Sequence, residues 1–306
     1  MKRIEQMINH IRKATDNSQK NTMTDDVLVQ FMNDAANRAQ SLIFQANPEC
    51  RAFDVMGYKT FVPLESKYAL DTVEDENGVS APSLIYTTGS VSMVERSDNT
   101  PAGAYYRVKL IGATERLIGM GYVLLRNNIL IFPPPQNGKM RITYTKKLTP
   151  VDIRRGKVSV VTPGVSLTIT GVPTKTDFAD IDYICVVDKD GNIIRPNIAI
   201  NSFNSGTGVI ATTDLLTSIT TDHYVCYGKY ATTSPIGNGD PALDDTLERY
   251  LNEYVIMRVF MMDSSKDISA QAQLVQTIEA EIESLYRDNN GDAQCIPILT
   301  TDYLTI

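Results

Sequence analysis

The hydrophobic period of this chain changes twice, and that constrains its fold more than any other feature. Ile4, Met7, Ile8 and Ile11 recur at helical spacing. Leu28, Phe31, Met32, Ala35, Ala39, Leu42 and Ile43 then form a second helical stripe, opened by Thr24 as N-cap with Asp25 and Asp26 behind it and stopped by Pro48. From Ala52 to Tyr230 the period is two, with runs of Val, Ile, Thr and Tyr punctuated by Gly, Pro, Asn and Asp. At Asp240-Pro241 the helical period returns. Leu247, Leu251, Tyr254, Val255, Val259 and Met262 form one inner face, and Val275, Ile278, Ile282 and Leu285 form another, ended by Asn289-Asn290-Gly291. An amphipathic helix must bury its stripe, and on periodicity alone the first two helices read as a hairpin packed on its own core. The expected fold class is α+β, with helices at both ends and β structure between them.

The β region divides further. Tyr122–Phe132 reads as a hairpin with Asn127-Asn128 at the centre of a type I′ turn, because Asn tolerates positive φ. Pro133-Pro134-Pro135 ends its second strand, and Lys139–Thr145 is the next strand after Asn137-Gly138. A separate series begins near Lys157: Val165–Thr170, Tyr183–Val187, the turn Asp188–Gly191, and His223–Tyr227. The expected domains are N-terminal helices over 1–48, a β domain over 49–156, and an inserted β sandwich or barrel over 157–230. C-terminal helices over 231–292 and an extended arm over 293–306 complete the chain. Cys185 and Cys226 fall in strands that can share one core; a disulfide between them stays open, but without an export signal free buried thiols are the preferred reading.

Composition excludes several kinds of chemistry. The 306 residues include two histidines (His10 and His223), no tryptophan and four cysteines without a C-x-x-C pair, so no zinc spacing exists. Phosphate-loop, dinucleotide, zincin and nucleophile-elbow motifs are absent from the sequence. No catalytic residue, cofactor or metal is expected. A net charge of −7 argues against a generic nucleic-acid coat. No apolar run reaches the length of a membrane span, and Met1–Asn17 lacks the apolar core of a signal peptide, so no membrane partner is expected.

The charge is unevenly placed. Residues 243–292 hold eleven acids and four bases, which accounts for the whole net charge. These acids read either as a solvated helix face or, for Glu279, Glu281 and Glu283, as groups facing a channel through which DNA must slide. Between positions 139 and 157 seven bases (Lys139, Arg141, Lys146, Lys147, Arg154, Arg155 and Lys157) stand against one acid, Asp152. This run reads as a lysine-defended edge strand, as a basic interface for an acidic protein partner or, ranked last because no aromatic residues interleave for base stacking, as a DNA phosphate contact.

The order of these parts carries a resemblance. Thr24–Ala39, with its acidic cap followed by Leu and Asn-Asp-Ala, resembles the opening helix of tailed-bacteriophage head-to-tail adaptor (connector) proteins. Tyr122–Tyr144 is similar to that family's hairpin, proline-rich turn and closing strand, and Asp244–Val255 to its C-terminal helix, which follows the β domain and lies beside the first helices, so the resemblance implies a helical bundle formed by the N- and C-terminal helices. The likeness covers about residues 3–147 and 231–290 and points to the tail tubular and tail accessory ring proteins of short-tailed phages. It implies a non-enzymatic virion protein, assembled in the host cytoplasm and placed at the head–tail interface. The implied form is a homo-oligomeric ring of twelve copies beneath the portal protein, touching other tail or fibre proteins and passing double-stranded DNA. Residues 157–230 depart from the family pattern and read as an outward decoration.

A different class of function remains open: a receptor- or glycan-binding tail component using 157–230, with Tyr183, Tyr224 and Tyr227 as stacking platforms. A hydrolase built from dispersed acids ranks last. The final residues include Ile296, Ile298, Leu299, Tyr303, Leu304 and Ile306, with Pro297 among them. Such an apolar strand is buried either in the subunit's own core or, as the reading preferred here, on the portal or a neighbouring copy by strand addition. Deleting residues 294–306 is expected to leave the melting temperature unchanged and to abolish joining to particles. A drop of several degrees would place the segment in the subunit's own fold.

Overall fold

The computed structural model describes residues 4–15, 23–48, 50–51, 53–78, 80–98, 103–112, 120–171, 178, 181–214, 216–233, 245–263 and 267–287. Among them the chain is mixed α+β, with four α-helices and three sheets whose ladders run antiparallel. It separates into two compact units. One comprises the described residues up to Cys50 together with those from Leu148 onward; the other is Arg51–Lys147. The N-caps expected at Asp240 and the terminator at Asn289–Gly291 lie outside the described residues.

The Arg51–Lys147 unit contains β1 (Asp54–Thr60), β2 (Lys67–Ala69), β3 (Thr72–Glu74), β4 (Ser80–Pro82), β5 (Val91–Ser97) and β6 (Tyr106–Arg107). β7 (Gly121–Leu125), β8 (Asn128–Phe132) and β9 (Lys139–Thr145) complete it. Six strands pair in the order β4-β3-β1-β9-β5-β6, and three in the order β2-β8-β7. Tyr68, Leu70, Ile129 and Ile131 of the smaller sheet share one core with Val94, Met140, Ile142 and Tyr144 of the larger. Burying each such side chain stabilises the unit by about 1.5–3 kcal/mol. β9 shows the two-residue period at work: Met140, Ile142 and Tyr144 are buried, while Lys139, Arg141 and Thr143 alternate with them.

The β7–β8 hairpin forms as expected, but its turn is Arg126-Asn127, one residue earlier than the sequence suggests. Arg126 takes the left-handed conformation at φ 53°. Asn128 is unavailable to the turn because it pairs with Ala69 of β2, so ladder formation overrides the local preference of Asn.

In the other unit α1 is Ile4–Ala14 and α2 is Asp25–Ala46, whose N-cap Thr24 accepts from the Val27 amide. α3 is Asp245–Met262 and α4 is Ser269–Tyr286. α3 is apolar on several sides and packs against α1, α2 and α4. Its buried positions are Leu247, Tyr250, Leu251, Val255, Ile256 and Val259. Met262 and Leu285, expected on inner faces, are 64% and 61% exposed. Both sit in the last turn of their helices, where the period continues but the packing does not.

The same unit holds β10 (Gly156–Thr162), β11 (Ser166–Thr170), β12 (Tyr183–Val187), β13 (Ile193–Ala199), β14 (Ser202–Asn204), β15 (Val209–Ala211) and β16 (Tyr224–Tyr227). They form one seven-stranded sheet, β13-β12-β16-β10-β11-β15-β14. Its core gathers Val158, Leu167, Ile169, Ile184, Ile198, Ile210 and Val225 around Phe178. Cys185 and Cys226 are register partners on β12 and β16 and remain free, buried thiols. The Gly228 amide bonds Tyr183 O, which makes Tyr183/Gly228, and hence Cys185/Cys226 two residues along, a hydrogen-bonded pair. Cβ atoms at such a pair stand about 5 Å or more apart, wider than the roughly 4 Å of a disulfide. Burial also pushes the Cys185 thiol up to about 12, and that of Cys226 well above its usual value.

Gly138 adopts φ 98°, and a Cβ added there would lie 1.9 Å from the backbone oxygen of Ser97. Gly138→Ala is therefore expected to cost about 3 kcal/mol or more in urea unfolding, combining backbone strain with a backbone clash. A loss below about 1 kcal/mol would show that the β5–β9 end of the sheet yields.

Candidate functional site

The chain enters the seven-stranded sheet through 148–155 and leaves it through 228–233, and these two crossings form a polar junction with the helices. Val151 and Thr232 make a parallel bridge, in which Asp152 N donates to Thr232 O at 2.9 Å and Thr232 N to Pro150 O at 3.0 Å. α2 supplies side-chain amides to the incoming strand. Val151 N donates to Asn33 Oδ1 at 2.8 Å, and Asn33 Nδ2 donates to Val151 O at 3.0 Å. Leu148 N donates to Oε1 of the fully buried Gln40 at 3.3 Å. Asn33 and Gln40 are about two turns apart, so one helix face acts as a strand substitute and satisfies backbone groups that would otherwise be buried without partners.

A second fastening lies beside the first. Arg155 Nη2 is 2.6 Å and its Nε 3.1 Å from Asp152 Oδ1, and both side chains are at most 8% exposed. Asp152 Oδ2 also accepts from Tyr227 N at 2.7 Å, tying the incoming segment to β16. The guanidinium pairs in addition with Asp26 of α2 and lies 4.1 Å above the Tyr227 ring. Burial disfavours the charge on Arg155, but the hydrogen bonds and charge of Asp152 prevail and raise its pKa, so it stays a cation. Arg154 makes a parallel tie: its Nε is 2.8 Å from Glu5 Oε1 of α1, and it lies 4.7 Å over Tyr224. Beneath these groups is an open cleft of about 620 Å³ whose walls include Val29, Gln30 and Asp34 of α2 together with Pro150, Ile181 and Ala231.

The residues of the expected basic interface are divided between the two units. Lys139, Arg141, Lys146 and Lys147 belong to one unit, and Arg154, Arg155 and Lys157 to the other. Several are also neutralised locally. Arg141 is 2.7 Å from Glu95 and stacks on Tyr105, while Lys139 donates to Glu76 O. Lys157 is 3.7 Å from Asp222, and Lys147 is exposed. Arg141, Arg154 and Lys157 thus meet acids that folding brings in, whereas Lys139 binds a backbone carbonyl.

The three acids on α4 differ from one another. Glu279 is drawn into the helix contacts, with Arg38 Nε at 3.2 Å and the Tyr250 hydroxyl donating at 2.8 Å. Burial, and then this bond to Glu279, pushes the Tyr250 hydroxyl well above its usual pKa. Glu281 faces Arg249 at 3.5 Å, and Glu283 is half-buried. Tyr183, Tyr224 and Tyr227 each carry a cation of the same chain on one ring face, Lys229 being 4.3 Å from Tyr183. Ile296, Ile298, Leu299, Tyr303, Leu304 and Ile306 lie outside the described residues.

Sequence reasoning overlooked Asn33 and Gln40, read Asp26 only as an acid at the helix start, and passed over Asp152 as the single acid in a basic run. That isolation was the available signal, since an acid three residues before an arginine within a run of bases is well placed to pair. Among the described residues no group of three or more His, Cys, Asp or Glu is arranged to hold a metal ion, and no helix is long and apolar enough to cross a membrane. No known family model matches the chain, and no curated protein sequence does.

Arg155→Met leaves Asp152 charged and buried, and should cost about 3–5 kcal/mol in denaturant unfolding. The double variant Asp152→Asn/Arg155→Met should recover a large part of that loss. Equal stability of the two variants would show that the pair acts independently of its charge.

Proposed function

We propose that this protein is a structural virion component of a tailed bacteriophage. In this reading it is a subunit of the adaptor ring that lies beneath the portal, joins head to tail and borders the DNA exit channel. The observation that carries the reading is the packing of α2 against α3 and α4. Helices from the two ends of the chain lie together, and the strands form between them, which is the layout implied by the motifs at Thr24–Ala39, Tyr122–Tyr144 and Asp244–Val255. We read the four helices as the bundle of such an adaptor. The seven-stranded sheet is its added decoration, and the Asn33, Gln40 and Asp152–Arg155 fastenings hold that decoration to the bundle. This role is non-enzymatic and needs no cofactor.

The partners in this reading are the portal protein, neighbouring copies in a ring of twelve, and other tail or fibre proteins. Double-stranded DNA passes without sequence recognition. Glu281, 3.5 Å from Arg249 but nearly half exposed, is better placed than Glu279 to repel phosphate, because Glu279 is largely covered and engaged by both Arg38 and the Tyr250 hydroxyl. The glycan-binding alternative gains nothing from Tyr183, Tyr224 and Tyr227, each of which already stacks with a cation.

Mass photometry and negative-stain imaging test the proposal. The protein alone should be monomeric or weakly associated, and adding portal rings should yield ring-shaped complexes. Failure to bind portal rings across a range of salt and protein concentration would overturn it.

A further inference from the structure

Asparagine followed by glycine is a reactive pair, because glycine has no Cβ to shield its amide nitrogen from the preceding side chain. The described residues contain two such pairs, Asn77-Gly78 and Asn137-Gly138, and the fold treats them oppositely. Asn137-Gly138 is locked. Gly138 is buried at φ 98°, an added Cβ would lie 1.9 Å from Ser97 O, and its own oxygen accepts from Phe61 N at 2.9 Å. Rotating that peptide means parting the end of β5 from β9 and breaking the link to Phe61. Asn77-Gly78 stands in the open. Asp75, Glu76, Asn77 and Gly78 are all exposed, and an added Cβ at Gly78 would meet nothing within 4 Å. Their turn lies between β3 and β4, three residues each, at the margin of the six-stranded sheet, and Gly78 N donates to Asp75 O at 3.0 Å. Opening a short edge hairpin of this kind costs far less than opening the interior of the sheet.

We propose that Asn77 is a site of self-catalysed deamidation in the native protein, and that Asn137 is protected from it. The Gly78 amide nitrogen loses its proton to hydroxide and bonds to Asn77 Cγ. The Cγ–Nδ2 bond breaks, and the side-chain nitrogen takes a proton from water and leaves as ammonia, which restores the hydroxide. Water then opens the resulting five-membered imide. Opening at Cγ gives aspartate in the original main chain; opening at the main-chain carbonyl gives isoaspartate, with the chain running through the side chain. Either product puts a carboxylate beside Glu76, whose Oε1 accepts from the Tyr58 hydroxyl at 3.2 Å and whose backbone oxygen accepts from Lys139 Nζ at 3.3 Å. Glu74, Asp75 and Glu76 already precede it, so the loop becomes four acids in a row and gains negative charge as the protein ages. The inference is independent of the adaptor-ring reading.

Peptide mapping of the full chain tests this. Trypsin places the two asparagines in separate fragments, residues 68–96 and 127–139, and fragment ions locate the change within each. The native protein is held in water enriched in heavy oxygen at neutral and at mildly alkaline pH, and a denatured sample is treated in parallel. In the native protein Asn77 should take up heavy oxygen with the mass gain of amide-to-acid conversion, and faster as pH rises, because the attacking nitrogen must lose its proton. Fragment 68–96 should also become a methyl acceptor for a protein isoaspartyl methyltransferase. Asn137 should convert at least about tenfold more slowly than Asn77 in the native protein and at a comparable rate in denaturant. Equal native rates, or conversion of Asn77 in denaturant alone, would overturn the inference. Asn77→Gln should melt at the wild-type temperature and abolish the label in fragment 68–96, since the larger imide of glutamine closes far more slowly. Label persisting in that fragment of the variant would place the reaction at another residue and overturn the assignment.

Discussion

An α-helix with apolar residues around most of its circumference has to be surrounded, and α3 is such a helix. Tyr250, Val255, Ile256 and Val259 point in different directions and are all buried. α1, α2 and α4 all pack against it. No single partner could cover it, so the two ends of the chain are drawn together by the burial of one element. The polar residues along these contacts are correspondingly organised. Glu279 is held by Arg38 and Tyr250, and Arg258 lies 4.9 Å over Phe31.

Bringing the chain ends together sets a second problem, because the chain must cross from helices to sheet and back through buried surroundings. Backbone groups at such crossings cannot be left unpaired. Here they are satisfied by two means. Asn33 and Gln40 offer side-chain amides where a neighbouring strand would normally offer a backbone, and Asp152 and Arg155 neutralise each other while binding the Tyr227 amide. A pair so deeply buried is a weak source of net stability, since desolvation offsets most of its attraction. Its stronger effect is on geometry, because any arrangement that parts Arg155 from Asp152 leaves a buried charge alone. The junction is thereby held to one conformation.

The same logic explains the fate of the charges. A run of seven bases in the sequence suggests a strong positive patch. In the fold, Arg141, Arg154 and Lys157 meet Glu95, Glu5 and Asp222 from distant parts of the chain, while Arg155 pairs with Asp152 three residues before it. The apolar surface that remains exposed around Leu64 was not signalled by any run at all. It comes from a single turn in which Leu64 is held at φ 64°, against its own preference, by the Tyr68 hydroxyl and the proline-rich strand end.

Local regularities were therefore legible in the sequence. The stripes of α1 and α2, the Thr24 cap, the alternation along β9 and the strand Tyr183–Val187 all follow from side-chain period and capping chemistry, which depend only on neighbours along the chain. What depends on distant neighbours was decided by the tertiary structure. The β7–β8 turn moved by one residue because β2 holds Asn128, and Met262 and Leu285 kept the helical period but found no cover. The ties of Asn33 and Gln40 to residues 148–151 were invisible for the same reason, whereas the Asp152–Arg155 pair lies within one turn of sequence and only its contacts with Asp26 and Tyr227 were hidden. Hydrogen bonding and ion pairing act over a few ångströms in space, and residues separated by more than a hundred positions meet only once the core has formed.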